Sequence, residues 1–246
     1  MGIIVQKFGG SSVENTEKLF NISKHIINEY DNNNKVVVTV SAQGKTTDIL
    51  TKESKEINEK INQRELDALL SIGEQITTVK LVMCLNKLGY NAISLTGWQI
   101  PIKTTNNYGN ADILNINTKR IQKELEQGKI VVVAGFQGIN EETNNITTLG
   151  RGGSDTTAVA LAVALKADSC NIYKDVEGVY DIDPKTNKNA KKYDNIDYDE
   201  MLKLSNNGAK VLHNKCIQIA KENDLTINIK NVCTGKTGTI IKRISI

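Results

Sequence analysis

Two prolines and two histidines are all that 246 residues hold of either type. Pro101 and Pro184 read as loop residues, so no proline-rich linker or low-complexity tail divides the chain. His25 and His213 cannot build a metal cluster with Cys84, Cys170, Cys216 and Cys233, which are scattered and form no CxxC pair. Neither a structural zinc site nor a disulfide framework is expected. No charge of one sign dominates: the net charge is +3, with lysines spread along the chain, which is no footprint for nucleic acid. No run approaches the length needed to span a bilayer, so no membrane partner is expected. The N-terminus enters Ile3-Ile4-Val5 without a basic region or a long apolar stretch. That argues against a signal peptide and for a cytoplasmic protein.

What is present fits one α/β domain or two closely packed lobes. Hydrophobic residues are 39% and charged residues 24%, which suits a packed core rather than disorder. Abundant asparagine, lysine and isoleucine read as compositional bias. Ile3 to Gln6, Val36 to Val40, Asn91 to Leu95, Ile130 to Ala134, Ser169 to Tyr173 and Leu225 to Ile229 read as strands. Helical patterns cover Glu14 to Tyr30, Leu66 to Leu88, Ile121 to Glu126, Ser154 to Lys166 and Ala209 to Glu222. Strands alternating with helices give a three-layer αβα sandwich around a mostly parallel sheet, with ligands at the strand ends.

The glycine-rich segments fall at such ends. Lys7-Phe8-Gly9-Gly10-Ser11-Ser12 joins the first strand to the first helix. Its glycines let the backbone approach a phosphate, the helix start offers N–H groups, and Lys7 adds a charge; a tight turn with a solvated lysine is the plainer reading. Gly44-Lys45-Thr46 resembles the end of a Walker A loop, but Thr39 stands where that motif needs glycine, and no GxGxxG follows a strand.

Gly150-Arg151-Gly152-Gly153-Ser154-Asp155-Thr156-Thr157 precedes an alanine-rich helix. Arg151 can fork a carboxylate, Gly152 and Gly153 open a nest of backbone donors, and Asp155 either serves a ligand site or simply caps the helix. Glu74 is an acid inside an apolar helical stretch. It either bonds a nearby backbone group or receives a cation such as a substrate ammonium. Tyr173-Lys174-Asp175-Val176-Glu177-Gly178-Val179-Tyr180, with Asp183-Pro184-Lys185 beyond it, follows a strand and would pass alone as an acidic turn.

Together these segments resemble the aspartate kinases of the amino acid kinase superfamily. The resemblance is carried in order by Lys7 to Val13, Ser41-Ala42 with Lys45 to Asp48, Leu69 to Gln75, Thr96 to Gln99, Thr147 to Thr157 and Gly208 to His213. It implies the amino acid kinase fold, with 1–168 as an acceptor-binding lobe and 169–246 as a nucleotide-binding lobe. The implied reaction transfers the γ-phosphate of ATP to the side-chain carboxylate of L-aspartate, feeding lysine, threonine and methionine synthesis. Lys7 would contact the transferring phosphoryl group, helped by Phe8, Gly9 and Gly10, and Asp155 would order the reacting centre. Arg151 would hold the α-carboxylate and Glu74 the α-ammonium. Ser41, Thr47, Phe136, Gly152, Gly153 and Ser154 would complete the acceptor pocket. Lys174, Asp175, Tyr180 and Lys185 would line the nucleotide site, and Lys210 would reach the phosphates from the last long helix. Mg²⁺ would be held by ATP oxygens and water, because no carboxylate cage is visible.

The chain departs from the family pattern at Lys174 (usually threonine), Glu177 (aspartate), Lys185 (arginine) and Asn214 (proline), mostly in the nucleotide loop. The match closes at Thr237 to Ile241, before the ACT modules of most relatives. No feedback inhibition in cis is therefore expected, while a homodimer and a separate regulatory chain stay compatible with the resemblance. The competing readings are a superfamily kinase acting on glutamate, N-acetylglutamate or UMP, and a non-catalytic binding relative. Glu74 disfavours an N-acetylated acceptor, and the pairing of Lys7 with Asp155 in the pattern disfavours a non-catalytic one.

Overall fold

The computed structural model describes residues 2–244 except Asp183, Lys185, Lys188, Ala209 and Lys210. In chain order the elements are β1 (Ile3–Phe8), a 3-10 turn (Gly10–Ser12), α1 (Thr16–Asp31), β2 (Lys35–Val40), α2 (Thr46–Ile57), α3 (Gln63–Leu70), α4 (Ile72–Lys87), β3 (Ala92–Leu95), β4 (Ile102–Thr104), β5 (Ile113–Ile116), α5 (Lys119–Glu126) and β6 (Ile130–Ala134). Then follow β7 (Gln137–Asn140), β8 (Ile146–Thr148), α6 (Gly153–Ala164), β9 (Ser169–Lys174), β10 (Val179–Tyr180), β11 (Lys192–Tyr193), β12 (Asn195–Ile196), α7 (Tyr198–Asn206), α8 (Asn214–Glu222), β13 (Ile227–Asn231) and β14 (Thr237–Ile241).

An eight-stranded sheet in the order β12-β14-β13-β9-β1-β2-β6-β3 forms the middle layer. Its pairs are parallel except β13 with β14. The β-branched run at Val36 to Val40 explains why helices cover both faces. Val37 joins one core with Val5, Val131, Ile172 and α6, while Val36, Val38 and Val40 join the other with Leu19, Ile22, Ile26 and Leu81. A second, four-stranded sheet, β5-β4-β7-β8, and the small β10–β11 pair sit beyond the strand ends.

The expected strands and the α/β sandwich are present. Three expectations need correction. The helix read as Leu66 to Leu88 is two helices broken at Ser71, whose carbonyl accepts from the Gln137 side chain at 2.8 Å and from Gln75 at 3.1 Å. These side chains compete with the helical N–H ladder, and the break aims Glu74 inward. Together α3 and α4 run over Gln63–Lys87, 25 residues whose most apolar 18-residue window has mean hydropathy 1.4, enough by length and composition to span a bilayer, contrary to the reading of the sequence. Half of it is buried inside the fold, packed on α1 and the sheet, and it carries Glu74, so it is a core helix here. The last helix, expected from Ala209, begins at Asn214: Val211, Leu212 and His213 are not helical, and Ala209 and Lys210 lie outside the described residues. His213 is extended, with φ −85° and ψ 144°, and the Leu212 carbonyl accepts from Ser205 at the end of α7.

Candidate active site

Side-chain alternation builds the reacting centre. Val5 on β1 and Cys170 and Ile172 on β9 face α6, so Lys7 and Lys174 point to the same side at the carboxyl ends of neighbouring strands. The first turn of α6 meets them there. Its N-cap, Gly152, is left-handed at φ 70°, a conformation glycine adopts without strain, and no side chain caps the helix. Asp155 is free of the capping role and reaches the lysines. Lys7 Nζ lies 2.6 Å from Oδ1, and Lys174 Nζ lies 2.9 Å from Oδ2. The Lys7 contact is a close ion pair rather than a well-directed hydrogen bond.

Burial sets the charges of this cluster. It opposes ionisation of Asp155, but the ammoniums of Lys7 and Lys174 outweigh it and hold the carboxyl at about 2. Burial also pulls the Lys7 ammonium down from the ordinary lysine value, against the attraction of Asp155. Two lysines on one carboxylate leave a net positive charge, suited to an anionic group.

The cluster opens into a cavity of about 470 Å³. Ser41, Thr47, Glu74, Phe136, Arg151, Gly152, Gly153 and Ser154 line it with Lys7, Gly10 and Asp155. The sequence reading had grouped these residues, and the fold brings them together. Glu74 is 3% exposed; its Oε1 accepts from the Ala42 amide at 2.9 Å, and its Oε2 has no partner. The backbone bond of this acid is thus present, and its second oxygen stays free beside the cavity. Burial raises its carboxyl to about 7, against the pull of the Ala42 amide and the Lys7 charge. Arg151 is exposed at the cavity wall and, among the described residues, makes no ion pair. Phe136 is held at φ 70° by its amide, which donates to Thr157 at 3.0 Å, and by its carbonyl, which accepts from Leu149 at 2.9 Å. A bulky residue in that region marks strain stored at a working site.

Phe8, Gly9, Asp175 and Tyr180 do not line the cavity. The Phe8 ring is fully buried and stacks on Tyr173 at 4.5 Å, which makes it a core residue. Gly9 sits beside Lys7, and at Gly10 a Cβ would meet the Ala42 carbonyl at 2.9 Å, so this turn hugs its neighbour. Asp175 is exposed and Tyr180 half-buried, on the loop after β9. Lys185 and Lys210 fall outside the described residues. Gly44, Gln63, Leu70, Gly109, Thr148 and Gly150 also line the cavity. Five of the six come from outside the two main glycine loops, so no local pattern marks them as ligand contacts.

The model of the amino acid kinase family matches residues 2–231. The chain belongs to the amino acid kinase family. Within it, the chain is 55% identical over 242 residues to an aspartokinase of Bacillus sp. (strain MGA3), covering 98% of this chain and 59% of that protein. The structure of aspartate kinase from Synechocystis superposes with a TM-score of 0.88 at 41% identity, over 99% of this chain and 40% of the other. Aspartokinase III of E. coli, solved in complex with aspartate and ADP, superposes at 0.88 with 24% identity over 99% of this chain and 65% of the other, and shows the fold alone. The chain thus spans about three fifths of the length of the curated relative it matches.

Proposed function

We propose that this domain transfers the γ-phosphate of ATP to the side-chain carboxylate of L-aspartate. The observation that carries the reading is one cavity holding both an acid with a free buried oxygen, Glu74, and a guanidinium without an ion pair among the described residues, Arg151, beside the Lys7–Asp155–Lys174 cluster. Glu74 complements an α-ammonium and Arg151 an α-carboxylate, which together describe a free amino acid. The likeness to aspartokinases narrows the amino acid to aspartate.

The chemistry follows from charge. A carboxylate oxygen attacks the γ-phosphorus, a P–O bond forms, and the bond to the leaving ADP oxygen breaks. The nucleophile is already ionised near neutral pH, so no general base is needed. Repulsion and orientation are the obstacles. Lys7 and Lys174 offset the phosphoryl charge, the Gly9–Gly10 turn offers backbone donors, and Glu74 with Arg151 fixes the acceptor at both α-groups. We assign the acceptor to the 1–168 lobe, and the nucleotide to the 169–246 lobe through Lys174, Asp175, Tyr180, Lys185 and Lys210. Of the cavity's carboxylates, Asp155 is committed to two lysines, and Glu74 has one free oxygen. That donor set suits Mg²⁺ carried by ATP oxygens and water, where it would neutralise phosphate charge.

The test is ADP release from MgATP with L-aspartate, L-glutamate, N-acetyl-L-glutamate or UMP, with hydroxylamine to trap an acyl phosphate. Turnover with aspartate and formation of its hydroxamate are expected. Turnover with a different acceptor, and none with aspartate, would overturn the assignment.

A further inference from the structure

Four carboxylates are buried among the described residues, and their partners differ. Glu124 pairs with Arg120 and Lys129, and Asp155 with Lys7 and Lys174. Glu74 keeps an oxygen free toward the cavity. Asp67, on α3, is fully buried, has no cation among the described residues, and yet has both oxygens filled. Oδ2 accepts from the backbone amides of Gly109 and Thr148, both at 2.8 Å. Oδ1 accepts from Thr148 Oγ1 at 3.0 Å and Gln63 Nε2 at 3.2 Å.

Gln63, Gly109 and Thr148 all line the cavity, whereas Asp67 stands behind them. Its carboxylate joins three separate pieces of the wall: α3, the loop carrying Gly109, and β8. The Gly109 loop in turn packs on the arginine loop. A Cβ at Gly150 would meet the Gly109 carbonyl and Asn110 Oδ1, each at 3.0 Å, and Gly150 immediately precedes Arg151. The amide of Ala111 closes the same contact onto the Thr148 carbonyl at 2.9 Å.

We propose that Asp67 is a positioning residue for the acceptor: it fixes the cavity wall at Gly109 and Thr148, and through Gly150 the placement of Arg151. This rests on the aspartate kinase reading. A charge buried without a counter-cation persists where several donors need one fixed acceptor. No sequence signal marked it, since an acid near the start of a helix reads as a solvated first-turn residue.

The test is steady-state kinetics of Asp67→Ala and Asp67→Asn, together with hydrogen exchange at the Gly109 and Thr148 amides. Asparagine can turn its oxygen to the two amides and its NH₂ to Thr148 Oγ1 and a reoriented Gln63, so it keeps the wall without the charge. Asp67→Ala should raise KM for aspartate about tenfold with KM for ATP within about twofold, and Asp67→Asn should raise it about threefold. Both amides should exchange faster in Asp67→Ala, and less so in Asp67→Asn, with protection kept elsewhere. If Asp67→Ala does not fold, Asp67→Asn carries the test. Equal shifts in both KM values, unchanged exchange in the folded variants, or an asparagine variant as impaired as the alanine one would overturn the proposal. A wild-type protein that binds nucleotide but does not turn over aspartate would sink the acceptor assignment instead, and the exchange of the two amides then decides the role of Asp67.

Discussion

Lys174 reaches the Asp155 oxygen that Lys7 leaves open, at 2.9 Å against 2.6 Å for Lys7 on the other oxygen. The two ammoniums are not interchangeable. The Lys7 side chain is 6% exposed and lines the cavity, while that of Lys174, the last residue of β9, is 20% exposed. Lys7→Met should cost about 3 kcal/mol of transition-state stabilisation, roughly a hundredfold in kcat, with the fold kept. Lys174→Thr should act mainly on the nucleotide, raising KM for ATP about tenfold while kcat falls less. Steady-state kinetics with circular dichroism checks both. The pair also bears on acid stability. The folded Asp155 carboxyl lies at about 2 against an ordinary 3.8, so its contribution is present above pH 4 and lost as pH falls toward 2.

Glu74 should give aspartate binding a pH dependence near neutrality. Its folded carboxyl is raised from 4.5 to about 7, so near neutrality part of the protein carries it protonated. An α-ammonium needs the ionised form. KM for aspartate should therefore rise as pH falls below about 7, by up to about tenfold per unit, with KM for ATP nearly flat. Glu74→Gln should raise KM for aspartate roughly 30-fold and remove that dependence. The stability effect runs the other way. Folding favours the protonated acid, so the wild type loses stability between pH 4.5 and about 7, and the glutamine variant should not. A pH–KM profile beside urea unfolding at several pH values reads both.

Gly152 should tolerate no side chain. It is left-handed at φ 70°, and a Cβ there would meet His213 Cβ at 2.5 Å, close to backbone that cannot swing away. Gly152→Ala should destabilise by about 2 kcal/mol through backbone strain and overlap, lowering Tm by roughly 4–8 °C. It should lower kcat as well, because Gly152 sets the entry of the helix that carries Asp155. Calorimetry and kinetics on the one variant test the two effects.

The parts legible in the sequence were those written locally. Val36 to Val40 announced a strand covered on both faces, and Gly150 to Thr157 announced a nest before a helix, because period and glycine placement are read within a few residues. The second sheet was not legible: Ile102–Thr104 and Ile146–Thr148 are three residues each, too short to show alternation. Helix α2 escaped because it buries only Ser54 and leaves Ile49 and Ile57 exposed, so it shows no apolar stripe. The break at Ser71 depends on Gln137, far along the chain. At the site, residue types pointed to Lys7, Arg151 and Asp155, but the sharing of Asp155 by two lysines exists only once β1 and β9 pair.

Thr239 holds the loop after β9, which we assign to the nucleotide, from behind, and its loss should separate the two substrates. It is fully buried on β14; its Oγ1 accepts from the Val179 amide at 2.8 Å and donates to the Tyr193 carbonyl at 2.5 Å. Close packing reinforces the joint, since a Cβ at Gly238 would meet the Glu177 carbonyl at 1.9 Å. Asn231 adds a bond from Nδ2 to Glu177 Oε1 at 2.9 Å, which ties the other side of the same loop. Thr239→Val keeps the shape but strands a buried donor and a buried acceptor, at a cost of about 2 kcal/mol. The loop from Lys174 to Tyr180 should loosen, raising KM for ATP severalfold, and KM for aspartate should hold because β14 packs mainly on β11, β12 and β13. Thr239→Ser, which restores the hydroxyl and loses only a methyl group, should bring KM for ATP back. Equal shifts for both substrates, or no recovery with serine, would show that Thr239 supports the fold at large rather than this loop.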